Sequence, residues 1–243
     1  MTLFTVPPAI RAVVFDLDGT LVDTLPDLTH ALQVALVRLQ LPAVPDDIVR
    51  ASLHGGLEGT ALATLEILQR TSGHTPLPSY EHLLATYRAA YRDHLWRTSR
   101  PYPGVTTMLH TLHSKGLRIA LCTNKAETEA RHLLRAFALD GCFDAVVGGD
   151  TLAMRKPSAE PLLYALALLE TQPDAALMVG DSQVDLDCAH TAGVTCNVFT
   201  GGYGDLDPTR LAPGQAFTAY TESQPGTPPA RTGASLPTLP ANT

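Results

Sequence analysis

The chain has 243 residues with a formal net charge of −7 at pH 7, and 45% of its residues are hydrophobic while 17% are charged. This composition excludes a wholly disordered chain, and the acidic balance argues against a nucleic-acid partner, which would need a basic surface. No apolar run reaches the roughly 18 residues of a membrane span, no signal-peptide pattern begins the chain, and the four cysteines lack zinc spacing, so we expect a cytoplasmic protein with reduced thiols and no membrane partner.

Five short apolar runs predict the strands of a parallel sheet. Their nearly continuous apolar character is typical of strands that are buried on both faces. In chain order the runs are Ala12–Phe15, Leu117–Cys122, Phe143–Val147, Ala175–Val179 and Thr195–Phe199. Helical stretches lie between the later runs, at Thr106–Lys115, Ala126–Leu139, Glu160–Glu170 and Leu186–Ala192. The alternation predicts an α/β fold with a doubly wound parallel sheet, built from residues 1–23 and 99–221.

Residues 24–98, between the first two predicted strands, have no strand pattern and are predicted to form an all-helical insert. Leucine, alanine and tyrosine recur there at helical spacing in three segments, separated by turn clusters at Pro42–Pro45 and Thr71–Ser79. We expect hinges near Leu21–Thr24 and Ser99–Gly104. Residues 222–243 are rich in proline, threonine, glycine and serine, so we expect a disordered tail there.

Polar residues follow the predicted strands at their carboxyl ends, where parallel sheets bind ligands. They are Asp16 and Asp18 after the first strand, Thr123 and Asn124 after the second, and Asp181 and Asp185 after the fourth. These groups suit phosphoryl transfer, because one carboxylate can attack phosphorus while a second protonates the leaving oxygen and then activates water. An isolated Asp-x-Asp is usually an ordinary turn, so the interpretation depends on the order and spacing of all the pieces.

Acidic groups alone would repel a phosphate dianion, so the predicted site needs positive charge. Mg2+ binds carboxylates, other oxygens and water, and Asp181 can supply a further carboxylate from a neighbouring strand. Lys156, ahead of the helix between the third and fourth strands, adds a fixed positive charge. Thr123 and Asn124 can bind phosphate oxygens at the start of a helix.

These segments resemble the four motifs of the haloacid dehalogenase superfamily, from about Arg11 to Gly204. The matching segments are DLDGT with Asp16 and Asp18, Thr123-Asn124, Lys156, and GDSQVD with Asp181 and Asp185. The resemblance implies a Rossmann-like sheet with a helical cap of the C1 type at residues 24–98. It also implies a Mg2+-dependent phosphatase that works through an aspartyl-phosphate.

The resemblance implies a role for each matching residue. Asp16 would be the nucleophile and Asp18 the acid and base. Mg2+ would be held by Asp16, Asp181 and the backbone carbonyl of Asp18, while Asp185 would support the metal site or Lys156 from outside the ligand set. The family often has KPxP where this chain has Lys156-Pro157-Ser158-Ala159, a departure that would loosen the mount of the lysine without removing its charge.

Three features resemble the phosphoglycolate phosphatase branch of the superfamily. They are DGTLVDT before a helix, the turn His54–Gly59, and Gly201–Gly204 after the last strand. The expected substrate is therefore a small anionic metabolite, foremost 2-phosphoglycolate, taken by a monomer or homodimer. Gly55 and Gly56 can bring backbone N–H groups close to the substrate carboxylate, with His54 as a candidate contact, or they can simply break a helix.

Other residues and functions remain as alternatives. We interpret Gly201–Gly204 as a surface turn with a stacked Tyr203, and Arg50 and Arg100 as surface arginines. The β-phosphoglucomutase branch has the same cap type, but it would need polar cap side chains that position a hexose, and the turn His54–Gly59 is small and plain. The haloalkanoate dehalogenases attack carbon and have no use for a second acid and a metal. A non-catalytic phosphate-binding module is disfavoured because nucleophile, acid, lysine and metal carboxylates occur together.

Overall fold

The computed structural model describes residues 2–71, 76–94 and 97–221, except for the side chains of His54, His94 and Pro208. The predicted tail at 222–243 lies outside these residues. Within them the chain forms eight strands, which are β1 (Ala12–Phe15), β2 (Val22–Asp23), β3 (Arg100–Pro101), β4 (Arg118–Cys122), β5 (Ala145–Val147), β6 (Ala176–Gly180), β7 (Thr195–Phe199) and β8 (Ala216–Phe217). The helices are α1 (Leu25–Arg38), α2 (Asp46–Ser52), α3 (Gly56–Thr71), α4 (Tyr80–His94), α5 (Val105–Ser114), α6 (Glu127–Ala136), α7 (Glu160–Leu168) and α8 (Gln183–Ala192).

Six strands form one sheet in the order β5-β4-β1-β6-β7-β8, and all its neighbouring pairs are parallel. Alternate residues of β1 face opposite sides, so Val13 and Phe15 pack under α5 and α6 while Ala12 and Val14 pack under α7 and α8. This arrangement confirms the predicted α/β fold with a doubly wound sheet. The sixth strand, β8, was not predicted. The sheet with α5–α8 is called the sheet layer below.

Helices α1–α4 lie within the predicted helical insert, residues 24–98, and enclose a core of their own. Its largest fully buried side chains are Leu32, Leu36, Leu68, Leu83, Tyr87 and Tyr91. Tyr203, from the sheet layer, packs into the same core. The extent of the insert as a separate domain stays a prediction.

The two connections between the insert and the sheet layer run side by side. Strand β2 pairs with β3 in an antiparallel ribbon at the positions of the expected hinges. Asp27 of α1 accepts hydrogen bonds from the backbone N–H groups of Thr98 and Ser99, both at 2.9 Å. Burial alone would raise the pKa of Asp27, but the hydrogen bonds from Ser99 and Thr98 outweigh it and lower that pKa. The Asp27 carboxylate thus links the start of the insert, at α1, to the segment at Thr98 and Ser99 where the chain returns to the sheet layer.

None of the helices in the described residues combines the length and apolar character that a membrane crossing requires.

Candidate active site

A polar pocket opens at the carboxyl ends of β1, β4 and β6. The loop after β1 supplies Asp16 and Asp18, and the backbone N–H of Asp16 still donates to Val179 at 2.9 Å, which extends the register of the sheet. Gly19 in this loop has φ +86°, and a Cβ there would collide with the carboxylate of Asp181. Glycine therefore allows the loop to approach its neighbour across the sheet. The lining residues include Asp16, Asp18, Thr123, Asn124, Lys125, Lys156 and Asp181.

Lys156 joins two of the predicted carboxylates. Its Nζ lies 2.7 Å from Asp16 Oδ1 and 2.6 Å from Asp185 Oδ1, and its side chain is 3% exposed. Burial alone would lower the pKa of Lys156, but Asp16 and Asp185 outweigh it and raise that pKa, so the lysine stays charged. Burial raises the pKa of Asp16 to about 6, against the opposing charge of Lys156.

The side-chain amide of Asn124 forms two hydrogen bonds with the backbone of Lys156. The Asn124 Nδ2 donates to the carbonyl of Lys156 at 2.9 Å, and the backbone N–H of Lys156 donates to Asn124 Oδ1 at 3.1 Å. Thr123 is buried beside it, and its hydroxyl accepts a hydrogen bond from the backbone N–H of Lys125 at 3.2 Å. Both residues line the pocket, and their binding of phosphate stays a prediction.

Asp181 is enclosed by hydrogen-bond donors. Thr20 Oγ1 donates to it at 2.9 Å, and the backbone N–H groups of Tyr203 and Gly204 donate at 3.0 and 2.9 Å. Burial, followed by repulsion from Asp16 and Asp185, raises the pKa of Asp181 to about 8 despite these bonds.

The buried carboxylates form a donor set for a cation. Asp16, Asp181 and Asp185 each offer an oxygen within 4.8 Å of the others. Lys156 is the cation in contact with two of them, so the cluster holds more negative than positive charge when it is ionised. Hard oxygen ligands with excess negative charge suit a divalent metal. Asp185, expected outside the ligand set, belongs to this cluster while also accepting from Ser182 Oγ at 2.6 Å.

Asp18 lies apart from that cluster and has its own partners. Lys125 Nζ lies 3.1 Å from its Oδ1 and 3.0 Å from its Oδ2, and Thr24 Oγ1 donates to Oδ1 at 2.6 Å. Sequence reasoning did not select Lys125 or Thr24. Both stand inside segments that it did use, Lys125 directly after Thr123-Asn124 and Thr24 at the end of DGTLVDT, which was the available signal.

The turn His54–Gly59 approaches the sheet layer at Gly56. Gly56 has φ +67° and ψ −165°, and a Cβ there would lie 3.3 Å from the carbonyl oxygen of Asn124. Gly56 lines a second cavity beside Asp18 and Lys125. A Cβ on Gly55 would meet nothing within 4 Å. Among the described residues of the insert, Arg50 and Leu53 line the pocket beside Asp16, and contact of the two glycines with a substrate stays a prediction.

Gly201–Gly204 is not the surface turn that the sequence suggested. Tyr203 is buried, packs into the core of the insert, and shares a 2.7 Å hydrogen bond with the hydroxyl of Thr24. A Cβ on Gly202 would collide with the carboxylate of Asp181. The segment therefore encloses Asp181 and joins the sheet layer to the insert. Arg50 was also interpreted as a surface residue, and it is exposed but lines the pocket.

Comparisons with known proteins agree with this geometry. The haloacid dehalogenase-like hydrolase family model matches residues 13–199. A curated phosphoglycolate phosphatase from Nitrosospira multiformis is 38% identical over 198 residues, covering 82% of this chain and 86% of that protein. Another from Chromobacterium violaceum is 37% identical over 202 residues, covering 83% and 89%. A crystal structure described as a predicted phosphoglycolate phosphatase from Haemophilus somnus 129pt is 30% identical, with a TM-score of 0.76 over 81% of this chain and 88% of that one.

Proposed function

This chain belongs to the haloacid dehalogenase-like hydrolase family and is a phosphatase of a small phosphorylated molecule, and from that premise we propose that it hydrolyses 2-phosphoglycolate with Mg2+ and with Asp16 as nucleophile. The names of the similar curated proteins support this substrate. The observation that carries the assignment of Asp16 is its burial beside Lys156, with Nζ 2.7 Å from one carboxylate oxygen. We also propose a cytoplasmic location, which the four buried free cysteines support.

The proposed reaction has two steps at Asp16. In the first, a carboxylate oxygen of Asp16 attacks phosphorus, the ester bond between phosphorus and the glycolate oxygen breaks, and Asp18 gives its proton to that oxygen. In the second, water attacks phosphorus while Asp18 takes a proton from it, and the bond between phosphorus and the Asp16 oxygen breaks, which releases inorganic phosphate and restores the Asp16 carboxylate. Lys156 keeps the attacking carboxylate oriented and offsets charge beside it.

Asp16, Asp181 and the backbone carbonyl of Asp18 would hold Mg2+ in this proposal. When bound, the ion supplies the positive charge that lets a phosphate dianion approach the carboxylates. Thr20, Tyr203 and Gly204 fix the orientation of the Asp181 carboxylate by donating to it. Asp185 would stay outside the ligand set and support Lys156, with which it forms an ion pair while also accepting from Ser182.

The insert would select the substrate from above the pocket. The carboxylate of 2-phosphoglycolate carries a negative charge, and Arg50 lines the pocket from α2 with a positive one. The predicted contribution of backbone N–H groups from Gly55 and Gly56 would act at the adjoining turn. Among the described side chains, those of the insert that line the pocket beside Asp16 are Arg50 and Leu53, which offer few polar groups for a hexose, so this pocket gives no support to a phosphomutase.

Kinetics on a panel of phosphate esters tests the substrate. We expect the highest kcat/KM for 2-phosphoglycolate, lower values for 3-phosphoglycerate and β-glucose 1-phosphate, and loss of activity with a chelator that Mg2+ restores. A higher kcat/KM for either of the other two esters would contradict the substrate proposal. Activity that survives thorough chelation would contradict the metal.

A matched pair of variants tests the nucleophile. Asp16→Asn should lose turnover by several orders of magnitude, because an amide cannot attack phosphorus. Asp174→Asn, the same change at an exposed position, should keep wild-type kinetics. Turnover of Asp16→Asn within about tenfold of wild type, once deamidation back to aspartate is excluded by mass spectrometry, would show that Asp16 is not the nucleophile.

A further inference from the structure

Two of the three lysines in this chain, Lys156 and Lys125, are buried beside the pocket carboxylates Asp16 and Asp18. Burying an ammonium group removes it from water and costs free energy unless it is paired and hydrogen-bonded. Lys156 meets Asp16 and Asp185, and the proposed reaction uses it. Lys125 is equally buried, with 4% of its side chain exposed, and the reaction as described gives it no part.

Lys125 has contacts on both sides of the boundary between the sheet layer and the insert. It follows β4, and its Nζ contacts both oxygens of Asp18, at 3.1 and 3.0 Å. Its Nζ also lies 5.0 Å from the centre of the Tyr91 ring, which belongs to α4 of the insert. Tyr91 is fully buried. An ammonium group in such a position is attracted by the negative face of the ring.

We propose that Lys125 is a positioning residue that fixes the Asp18 carboxylate for proton transfer, and that Tyr91 keeps Lys125 in place when the insert lies against the sheet layer. The inference rests on the proposed acid and base role of Asp18. The carboxylate can rotate about its side-chain bonds, and contacts from one ammonium group to both oxygens, together with the Thr24 hydroxyl, leave it one orientation. The lysine stem is itself flexible, so it needs a second anchor, which the ring supplies.

This arrangement makes the geometry of Asp18 depend on the insert. Tyr91 and Thr24 both reach the Asp18–Lys125 pair from the insert side. Displacement of α4 would remove the ring from Lys125 and open the pair to water, which weakens it. The proton donor would therefore be aligned only while the insert covers the pocket.

A double-mutant cycle separates action through Asp18 from any other role. In the wild-type background, Lys125→Met should lower kcat for 2-phosphoglycolate by about 10- to 100-fold with little change in KM. The loss should be smaller for 4-nitrophenyl phosphate, whose leaving group needs no proton. In an Asp18→Asn background, the same change should cost no more than about threefold, because the group it positions is already gone. Lys115→Met, at an exposed lysine, is the matched control and should match wild type.

Tyr91 gives a second route that leaves the charge of Lys125 in place. Tyr91→Phe keeps the ring and removes only the hydroxyl, so its loss of kcat should be much smaller than that of Tyr91→Leu, which should lower kcat by about tenfold, again only while Asp18 is present. Thermal melting would reveal whether Lys125→Met fails to fold. If it does, the two Tyr91 variants test whether Lys125 positions Asp18.

Three results would overturn the inference. If Lys125→Met lowers kcat by the same factor in the Asp18→Asn background as in the wild type, Lys125 acts independently of Asp18. If it lowers kcat equally for 2-phosphoglycolate and 4-nitrophenyl phosphate, its role is structural. In either case an inactive Asp18→Asn variant leaves the proposed function standing. Near wild-type activity of Asp18→Asn itself would instead remove the acid and base assignment, and the inference with it.

Discussion

At the scale of single residues, Lys156 is the group on which the buried charges depend. It is the ion-pair partner of both Asp16 and Asp185. Lys156→Met would leave two carboxylates buried without their cation, so the free energy of unfolding should fall by about 3–5 kcal/mol. Urea denaturation at neutral pH in a chelator measures this loss, with the exposed Lys115→Met as control. A loss no larger than that of the control would show that the carboxylates find other compensation.

The sequence indicates which residue types follow each strand, but it does not show how they pair. Asp16, Asp181 and Lys156 come together because parallel strands end at one edge of the sheet. Tyr203 and Thr24 are 179 positions apart and share a hydrogen bond, and Lys125 and Asp18 are 107 apart. Nothing in the local pattern around these residues specifies those contacts, which is why the expected site lacked Lys125, Thr24 and Tyr203.

At the scale of elements, Gly55 and Gly56, at the start of α3, have different environments. Gly56 combines φ +67° with ψ −165°, a region that other residues seldom adopt, while Gly55 has open space at its Cβ. Gly56→Ala should lower the free energy of unfolding by about 1–3 kcal/mol and reduce kcat/KM, because the turn must shift away from Asn124. Gly55→Ala should be close to neutral. Thermal melting and kinetics on 2-phosphoglycolate check both, and equal effects would contradict the distinction.

Ion pairs of Glu58 connect α3 to the loop that carries Lys156. Glu58 pairs with Arg88 of α4, and Arg155 Nη2 of the sheet layer lies 3.2 Å from Glu58 Oε1. These side chains are part-exposed, so the contact is worth about 0–1 kcal/mol. Glu58→Gln should therefore raise KM by less than about fivefold and leave kcat nearly unchanged, because the insert covers the pocket less often.

The control for these ion pairs is a pair inside the insert. Arg38 and Asp93 form an exposed ion pair between α1 and α4, which does not reach the sheet layer. Asp93→Asn should leave KM unchanged. Added salt should reduce the difference between Glu58→Gln and wild type, since salt screens exposed charges. A fall in kcat at constant KM would indicate that Glu58 acts on the chemistry instead.

The length and clarity of the apolar pattern in the sequence decided which strands and helices could be predicted. The five longer strands of the sheet lie within two residues of the expected bounds, because each is a buried apolar run. Strands β2, β3 and β8 have two residues each, which is too short for any periodicity to appear. Helix α2 has seven residues with one fully buried side chain, Val49, so it carries no recurring apolar face.

At the scale of the whole molecule, the insert and the sheet layer have separate cores that meet at a polar boundary. The insert core includes Tyr203 of the sheet layer, while Asp27 ties the two connections together. The buried charges of the active site lie beneath this boundary. Stability of the whole chain should therefore respond to pH and to metal through these carboxylates, more than through its exposed charges.

Without metal, the stability of the chain should depend on pH through Asp16 and Asp181. The pKa of Asp16 is raised to about 6 and that of Asp181 to about 8, whereas both would titrate near 3.8 in an unfolded chain. Between these limits the folded protein binds more protons than the unfolded chain. Its stability should therefore fall as pH rises from about 4 to about 8 and then level off.

A divalent cation should reverse this trend, because it competes with protons for the same oxygens. Mg2+ should raise the melting temperature more at pH 8 than at pH 6, since at pH 8 fewer protons must leave. Melting curves with Mg2+ and with a chelator across this range measure both effects. Asp181→Asn removes the group with the higher pKa, so its metal-free melting temperature should change less between about pH 6 and pH 8 than that of wild type. A metal-free melting temperature that rises with pH, or an equal effect of Mg2+ at both pH values, would show that these carboxylates do not control the stability of the fold.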